Sequence, residues 1–196
     1  MKAGSYRPSR IERVVFGTPY LEAASAIVEE TGARRVFILA SRTLNRTTPL
    51  VEDLRRVLGA RHAGTFDEMP AHTPREAVVA AANAARAAGA DLLVTLGGGS
   101  LTDAAKAVAL CLSNDVRTEA QLDALRTRRG QPLPASIKAP TVRSIAIPTT
   151  MSAGEFMAYA GVTNRATGVK ETFFHPLAVA AAVILDPAVT LPTPMD

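Results

Sequence analysis

Two segments of the chain combine small, hydroxyl-bearing and acidic residues in an order that suits binding of a phosphorylated ligand. In the first, the apolar run at 92–96 leads directly into Gly-Gly-Gly-Ser at 97–100, and Asp103 and Lys106 follow. Glycines let the backbone turn sharply and approach a ligand closely. The N–H groups at the start of the next helix favour an anion, and Ser100 can donate a hydrogen bond or cap that helix. The spacing predicts a pyrophosphate site; the alternative is a plain tight turn.

The roles of the acid and the base in this segment stay open at the level of sequence. Asp103 lies one turn into the predicted helix, where an acid either stabilises the helix start or accepts a hydrogen bond from a ligand hydroxyl. Lys106 is predicted to be a surface or salt-bridging residue. The segment is neither G-x-G-x-x-G nor a Walker loop.

The second segment reads Ile-Ala-Ile-Pro-Thr-Thr-Met-Ser-Ala-Gly-Glu at 145–155. The hydroxyls of Thr149, Thr150 and Ser152 come directly after a predicted strand, where they suit contacts to ribose or phosphate. The alternative is a helix start, with Ser152 as the cap and Glu155 completing a capping box. Both interpretations can hold together.

Strands and helices alternate along the chain, which predicts how these segments are positioned. Strands are predicted at 11–16, 36–40, 91–96, 144–148 and 178–185, with a weaker one at 63–66. Helices are predicted at 21–31, 50–58, 74–88 and 102–112, with a short one at 119–125 inside a polar surface excursion at 114–140. This order predicts an α/β fold, a Rossmann-like parallel sheet with helices on both faces. Residues 11–196 are predicted to form one domain after a flexible arm at 1–10, with ligands at the carboxyl ends of the strands.

Composition narrows the classes of partner and compartment. The net charge of +4 is scattered, without interleaved aromatic residues, which disfavours a nucleic-acid partner. The first ten residues lack an apolar core, and the longest apolar run, 177–185, is too short to cross a bilayer, so neither a signal peptide nor membrane attachment is expected. The single cysteine, Cys111, lies in an apolar helical stretch and is predicted to be a buried thiol, which suits the cytoplasm.

Three motifs together resemble one enzyme family. GGGSLTDAAKAVAL at 97–110 resembles the GGGS-x-x-D-x-AK stretch of the iron-containing alcohol dehydrogenase superfamily. IPTTMSAGEF at 147–156 and VILDPAVTLPTP at 183–194 resemble two later stretches of the same family, in the same order. FDEMPAHTP at 66–74 is similar to a passage in maleylacetate reductases, a branch of that superfamily.

The resemblance implies a Rossmann-like domain that binds NAD or NADP, followed in the family by a helical domain whose Asp and three His hold divalent iron or zinc as a Lewis acid. This chain is expected to be the cofactor half, inactive alone, with the metal only in the full-length enzyme. It has three histidines, His62, His72 and His175, and no close pair, so no metal ligand and no catalytic residue is assigned. His72 and His175 are expected to be surface residues, and Asp196 a chain end or linker.

Cofactor-contacting residues carry over by position. The resemblance implies that Gly98, Gly99 and Ser100 meet the pyrophosphate, and that Lys170 faces the nicotinamide ribose. It also implies that the hydroxyls at 149, 150 and 152 meet the ribose and nicotinamide. The chain has Ala-Gly-Glu at 153–155 where many members have Gly-Ser-Glu. It also has Asp103, which maleylacetate reductases commonly lack, and this favours the alcohol dehydrogenase branch.

The choice between the two cofactors rests on the residues after the second strand. An acid there would hold the ribose hydroxyls of NAD and repel the 2′-phosphate of NADP. The sequence instead has Ser41, Arg42, Asn45 and Arg46. We therefore expect NADP to be accepted and slightly preferred; the alternative is that both arginines point to solvent.

The expected function is an NAD(P)-dependent oxidoreductase that transfers hydride between nicotinamide and a small alcohol or carbonyl substrate. Maleylacetate reductase is the first alternative. Glycerol dehydrogenases and dehydroquinate-synthase-like proteins share the glycine-rich turn but differ around the Thr-Thr motif. A non-catalytic nucleotide-binding module is the alternative from another class. Exposed apolar surface on the nicotinamide side of the sheet is expected, and with it a homo-oligomer.

Overall fold

A parallel sheet forms the centre of the molecule in the computed structural model, which describes residues 9–128 and 131–193. Its six strands are β1 Arg13–Phe16, β2 Val36–Ala40, β3 His62–Phe66, β4 Leu92–Gly97, β5 Arg143–Pro148 and β8 Ala182–Leu185. They pair in the order β1-β8-β5-β4-β2-β3, all in parallel. A separate antiparallel hairpin is made of β6 Tyr159–Asn164 and β7 Val169–Phe174.

In the part of the chain that the structure describes, five α-helices cover the two faces of the sheet. They are α1 Tyr20–Thr31, α2 Arg42–Thr47, α3 Leu50–Leu58, α4 Arg75–Ala87 and α5 Gly99–Ser113. The first three pack on one face around aliphatic side chains such as Ile27, Val51 and Leu54. On the other face lie α4, α5 and the hairpin, packed around residues such as Val108 and Phe173. The central strands β2 and β4 are buried along their whole length, as expected for strands covered on both faces.

The connections create a crevice between β2 and β4. After β2 the chain enters α2 and α3 on one face, whereas after β4 it enters α5 on the other face. The connections that leave these two neighbouring strands therefore run to opposite faces of the sheet, and this is the topological switch point where open α/β sheets bind ligands. The Rossmann-like parallel sheet predicted from the alternation of elements is confirmed.

Several boundaries differ from the predictions. Helix α5 begins at Gly99 rather than Thr102, so the glycine turn forms its first turn. The last strand is Ala182–Leu185, because residues 176–178 form a 3-10 turn instead. Helix α2 and the hairpin were not predicted at all. The excursion at 114–140 contains the predicted short helix as a 3-10 helix, Glu119–Leu125.

Two predictions lie wholly or mostly outside the described residues, namely the flexible arm at 1–10 and the linker role of Asp196. Within the described ranges, no helix is both long enough and apolar enough to cross a membrane. Cys111 is fully buried, as predicted, and burial raises the pKa of its thiol to about 12.

Candidate functional site

The turn after β4 requires glycine for steric reasons. Gly97 has φ 154°, a backbone conformation that residues with a side chain rarely adopt. A β-carbon there would collide with the side chain of Leu101 and lie 3.2 Å from the β-carbon of Ser41. The space between the ends of β2 and β4 and the first turn of α5 is therefore too narrow for a side chain at this position.

The loop after β5 lies directly over this turn. A β-carbon on Gly98 would lie 3.1 Å from the Thr150 hydroxyl oxygen, and one on Gly99 would lie 3.0 Å from the Ser152 hydroxyl oxygen. The backbone N–H of Thr149 donates to the Gly97 carbonyl at 3.1 Å. The structure thus brings together the two segments that were predicted from the sequence. The hydroxyls of the second segment lie against the glycines of the first.

The capping box predicted at 152–155 is wrong. Ala153 adopts a left-handed conformation with φ 57°, and only one 3-10 turn, Gly154–Phe156, follows before the chain enters β6. The Ser152 hydroxyl oxygen accepts from the N–H of Gly154 at 3.3 Å, and no side-chain cap of the turn is formed. Glu155 is instead buried.

Ser100 is held from outside its own helix. Gly98 is the N-cap residue of α5, so the predicted capping role of Ser100 is wrong. Its hydroxyl oxygen accepts from the backbone N–H of His72 at 3.1 Å, and its carbonyl accepts from the Thr73 hydroxyl at 2.9 Å. The hydroxyl hydrogen of Ser100 is left to donate to a ligand. His72 and Thr73 both have positive φ, 65° and 52°, and neither was predicted to contact this turn.

A buried ammonium group lies beneath the turn. Lys106 is 2% exposed, so its predicted surface position is wrong, whereas its predicted salt bridge forms with Asp103 at 2.9 Å. Its ammonium also donates to the carbonyls of Gly154 at 2.9 Å and Tyr159 at 2.7 Å. Burial lowers the pKa of Lys106, with Asp103 opposing that shift. Lys106 thus connects α5 to Gly154 and Tyr159, which lie at the two ends of the segment between the loop after β5 and the hairpin.

The hairpin brings Lys170 to the same acid. The Lys170 ammonium lies 4.0 Å from the second carboxylate oxygen of Asp103, which also accepts from the N–H of Gly161 at 3.1 Å. A β-carbon on Gly161 would collide with the flexible end of the Lys170 side chain, which would then have to move away. Lys170 remains about half exposed and so remains accessible to a ligand.

A buried ion pair anchors the hairpin to the domain. The Arg75 guanidinium binds Glu171 of β7, with a hydrogen bond of 2.7 Å from Nε, and Asp123 at 2.6 Å. Arg75 and Glu171 are both buried. Sequence spacing gave no sign of this pair, because 96 residues separate its members.

The end of β2, where the choice between NAD and NADP was predicted to be made, lies beside an acid that was not predicted from the sequence. Ser41 caps α2 by accepting from the N–H of Leu44 at 3.5 Å. Arg42 donates to the carbonyl of Asp67 at 3.4 Å, and Asn45 donates to the Asp67 carboxylate at 2.8 Å. Asp67 directly follows β3, which neighbours β2, so the tertiary fold supplies a carboxylate that the chain after β2 lacks.

An open groove of about 760 Å³ lies between the carboxyl ends of β5 and β8. Apolar atoms make up most of its lining, and the polar groups include Thr149, Asp186 and Thr190. Fully or largely exposed apolar side chains lie at the same edge, among them Met151 and Leu191. The expected apolar surface is therefore present beside the second segment.

The three histidines do not form a metal centre. His62 contacts Thr65, and the His175 ring accepts from the N–H of Leu177. Burial lowers the pKa of both rings. In residues 9–128 and 131–193 no three His, Cys, Asp or Glu side chains are grouped closely enough to hold a metal ion. The described residues therefore do not fit the iron site of the family.

The chain is similar in sequence and in fold to several dehydrogenases and reductases. The chain is 36% identical over 187 residues to the dehydrogenase FUM7 of Gibberella moniliformis, covering 92% of this chain and 44% of the relative. Among solved structures, maleylacetate reductase from Agrobacterium tumefaciens superposes with a TM-score of 0.75 and 30% identity, over 99% of this chain and 46% of that one. Sulfoacetaldehyde reductase from Bifidobacterium kashiwanohense, solved in complex with NAD+, superposes with a TM-score of 0.84 and 22% identity, over 99% of this chain and 49% of that one.

The chain thus spans less than half the length of each of these three proteins. The model of the family described as iron-containing alcohol dehydrogenase matches residues 12–187. That match includes the glycine turn, the loop after β5 and the hairpin. The chain belongs to the iron-containing alcohol dehydrogenase family.

Proposed function

We propose that residues 11–196 form one cofactor domain, which binds a nicotinamide dinucleotide across the carboxyl ends of β2, β4 and β5. In the whole enzyme this cofactor exchanges hydride with the carbon of an alcohol or carbonyl substrate. The observation that carries the proposal is the bare glycine turn at the switch point, covered by hydroxyls of the loop after β5. The proposed contacts are Ser41, Arg42, Gly98, Gly99, Ser100, Asp103, Thr149, Thr150, Ser152 and Lys170.

The pyrophosphate is proposed to lie at the start of α5. The first N–H groups of a helix have no partner inside it, and the helix dipole favours negative charge there. With no β-carbon at Gly98 or Gly99, phosphate oxygens can reach these groups, and the Ser100 hydroxyl can donate a further hydrogen bond. The NAD+ complex of the structurally similar sulfoacetaldehyde reductase supports a dinucleotide as the ligand.

The nicotinamide is proposed to lie at the other end of the site, beside Asp103 and Lys170. Lys170 is 55% exposed and Asp103 is 19% exposed, and Lys106 links Asp103 to the Gly154 carbonyl of the loop after β5. Asp103 and Lys170 suit hydrogen bonds with the two hydroxyls of the nicotinamide ribose, an acceptor and a donor side by side. The groove between the ends of β5 and β8 would then receive the substrate.

NADP is proposed to be preferred slightly over NAD. Arg42 and Arg46 supply positive charge at the end of β2, which suits a 2′-phosphate. The Asp67 carboxylate lies in the same corner, bound by Asn45, and opposes that preference. Replacing Arg42 with Ala is expected to weaken NADPH binding more than NADH binding, and Asp67→Asn is expected to strengthen NADPH binding selectively.

The test is a titration of the purified chain with NADPH and NADH, followed by cofactor fluorescence. Saturable binding is expected, and Gly99→Val is expected to abolish it because the side chain would occupy the phosphate approach. Ala87→Val is the matched control, since it places the same valine side chain at an exposed position of α4. Tighter binding of NADH would contradict only the NADP preference; no binding of either cofactor, or loss of binding in the control as well, would contradict the site.

Reduction of maleylacetate is a second candidate for the whole enzyme. The 30% identity to a maleylacetate reductase over nearly the full chain and the FDEMPAHTP passage favour it. The first candidate is a simpler alcohol or aldehyde. Oxidation of NADPH in the presence of maleylacetate, compared with a series of small aldehydes, separates the two.

Two further parts of the proposal concern the surroundings of the chain. Self-association is proposed to occur through the exposed apolar side chains Phe16, Met151 and Leu191, and sedimentation velocity of wild type against Met151→Ser tests it. A cytoplasmic location is proposed from the single buried thiol, and cell fractionation tests it.

A further inference from the structure

A small cavity lies inside the domain, behind the loop after β5. It lies between β4, β5, α5 and the 3-10 turn at Gly154–Phe156, and its volume is about 10 Å³. Thr95 of β4, Lys106 of α5 and Glu155 of the turn all line it. Glu155 also lines the outer groove, so it stands between the cavity and the proposed substrate site.

Two polar atoms at this cavity have no protein partner. The Thr95 hydroxyl oxygen and one carboxylate oxygen of Glu155, Oε2, are fully buried, and no described residue forms a hydrogen bond with either. The two residues are only 1% and 4% exposed. Buried polar groups nearly always have a protein or water partner, because leaving one unpaired is costly. Two such atoms on one cavity indicate a shared ligand.

The neighbouring groups restrict what that ligand is. The three ammonium hydrogens of Lys106 are already used by Asp103, Gly154 and Tyr159, so this group has none left to donate into the cavity. Its positive charge also disfavours a second cation beside it. A volume near 10 Å³ holds about one water molecule and nothing larger.

We infer that this cavity is a binding site for a single water molecule, which donates to Glu155 Oε2 and accepts from the Thr95 hydroxyl. The water thereby connects the turn after β5 to the middle of β4. This bridge makes Thr95 and Glu155 positioning residues for the loop that covers the glycine turn. The inference rests on the buried atoms alone and does not depend on the proposed cofactor.

Thr95→Val tests the inference through the sign of its effect on stability. Valine matches threonine in shape but lacks the hydroxyl. If a water bridges the two groups, the variant loses that bridge and leaves Glu155 without its partner, so the Tm falls by about 2–6 °C. If the cavity is dry, the variant removes an unsatisfied hydroxyl, and the Tm stays level or rises. A fall supports the inference, and a level or raised Tm overturns it.

High-resolution crystal structures of the wild type, Thr95→Val and Thr95→Ser provide a second readout. Serine keeps the hydroxyl and serves as the matched control. Electron density for one water within about 3.2 Å of both atoms is expected in the wild type and in Thr95→Ser, and not in Thr95→Val. Absence of that density in the wild type overturns the inference, whatever the cofactor titration gives.

Discussion

Replacing Lys106 with methionine should strongly destabilise the domain. The change removes a buried cation and three hydrogen bonds, of 2.9, 2.9 and 2.7 Å, while keeping a side chain of similar length. Two carbonyls then lose a donor, and Asp103, which is 19% exposed, loses the nearer of its two cations and keeps only Lys170 at 4.0 Å. Removing one partner of a buried ion pair costs about 3–5 kcal/mol, which is a large share of the roughly 5–15 kcal/mol that stabilises a typical domain.

Urea unfolding followed by far-ultraviolet circular dichroism measures this loss, because the chain has no tryptophan to report by fluorescence. With an m-value of about 2 kcal/mol per molar urea, the midpoint should fall by about 1.5–2.5 M. Asp103→Asn is the matched variant, since it removes the opposite charge of the same pair. In the double variant the loss of unfolding free energy should be smaller than the sum of the two single losses, by about 1–3 kcal/mol.

A small effect would refute this reasoning. A midpoint shift below about 0.5 M for Lys106→Met, with an unchanged m-value, would mean that the ammonium contributes little and is solvated in solution. Fully additive losses in the double variant would mean that Lys106 and Asp103 do not interact. Either result would also remove the support that the buried ammonium gives to the position of the loop after β5.

Three more predictions follow from other contacts. Gly99→Ala should weaken NADPH binding at least about tenfold, because its methyl group would occupy the approach of the phosphate. Its β-carbon would also lie 3.0 Å from Ser152, so the added change Ser152→Gly should restore the Tm but not the binding. Recovery of both the Tm and the binding would contradict a phosphate site. Arg75→Gln should speed amide exchange in β7 but not in α1, as mass spectrometry can check; unchanged exchange in β7 would mean that the ion pair does not anchor the hairpin. Cys111 should react slowly with Ellman's reagent until the protein unfolds. Because burial raises its pKa from 9.0 to about 12, the unfolded state loses this proton first, and stability should fall above about pH 9 by up to about 1.4 kcal/mol per pH unit. Cys111→Ala should flatten that slope.

The elements that carry the site could be predicted because their signals are local. A continuous apolar run predicts a buried strand, and glycines immediately after it predict a sharp turn into a helix. Such runs located the ends of β4 and β5 to within a residue or two. The hairpin was missed even though Gly168, with φ 68°, marks its turn, because the flanking strands alternate only weakly between polar and apolar residues.

The partners of individual side chains could not be predicted in the same way. Lys106 was expected at the surface, because a lysine on a helix usually reaches solvent. It is buried because two carbonyls from a later segment, 48 and 53 residues along the chain, converge on its ammonium. Asp67 was missed for a similar reason: it follows β3 in the chain but lies beside the end of β2 in the sheet.

Residue types at short spacing were enough to predict the parallel α/β architecture, the glycine turn, the hydroxyl-bearing loop and the family. Which of these groups meet depends on the folded arrangement of distant segments. That arrangement brings Thr150 and Ser152 onto Gly98 and Gly99, and Lys170 next to Asp103. It arises because strand order and hairpin docking minimise the free energy of the whole chain, through burial of apolar surface and pairing of buried charges. Neither quantity can be computed from a short window of residues.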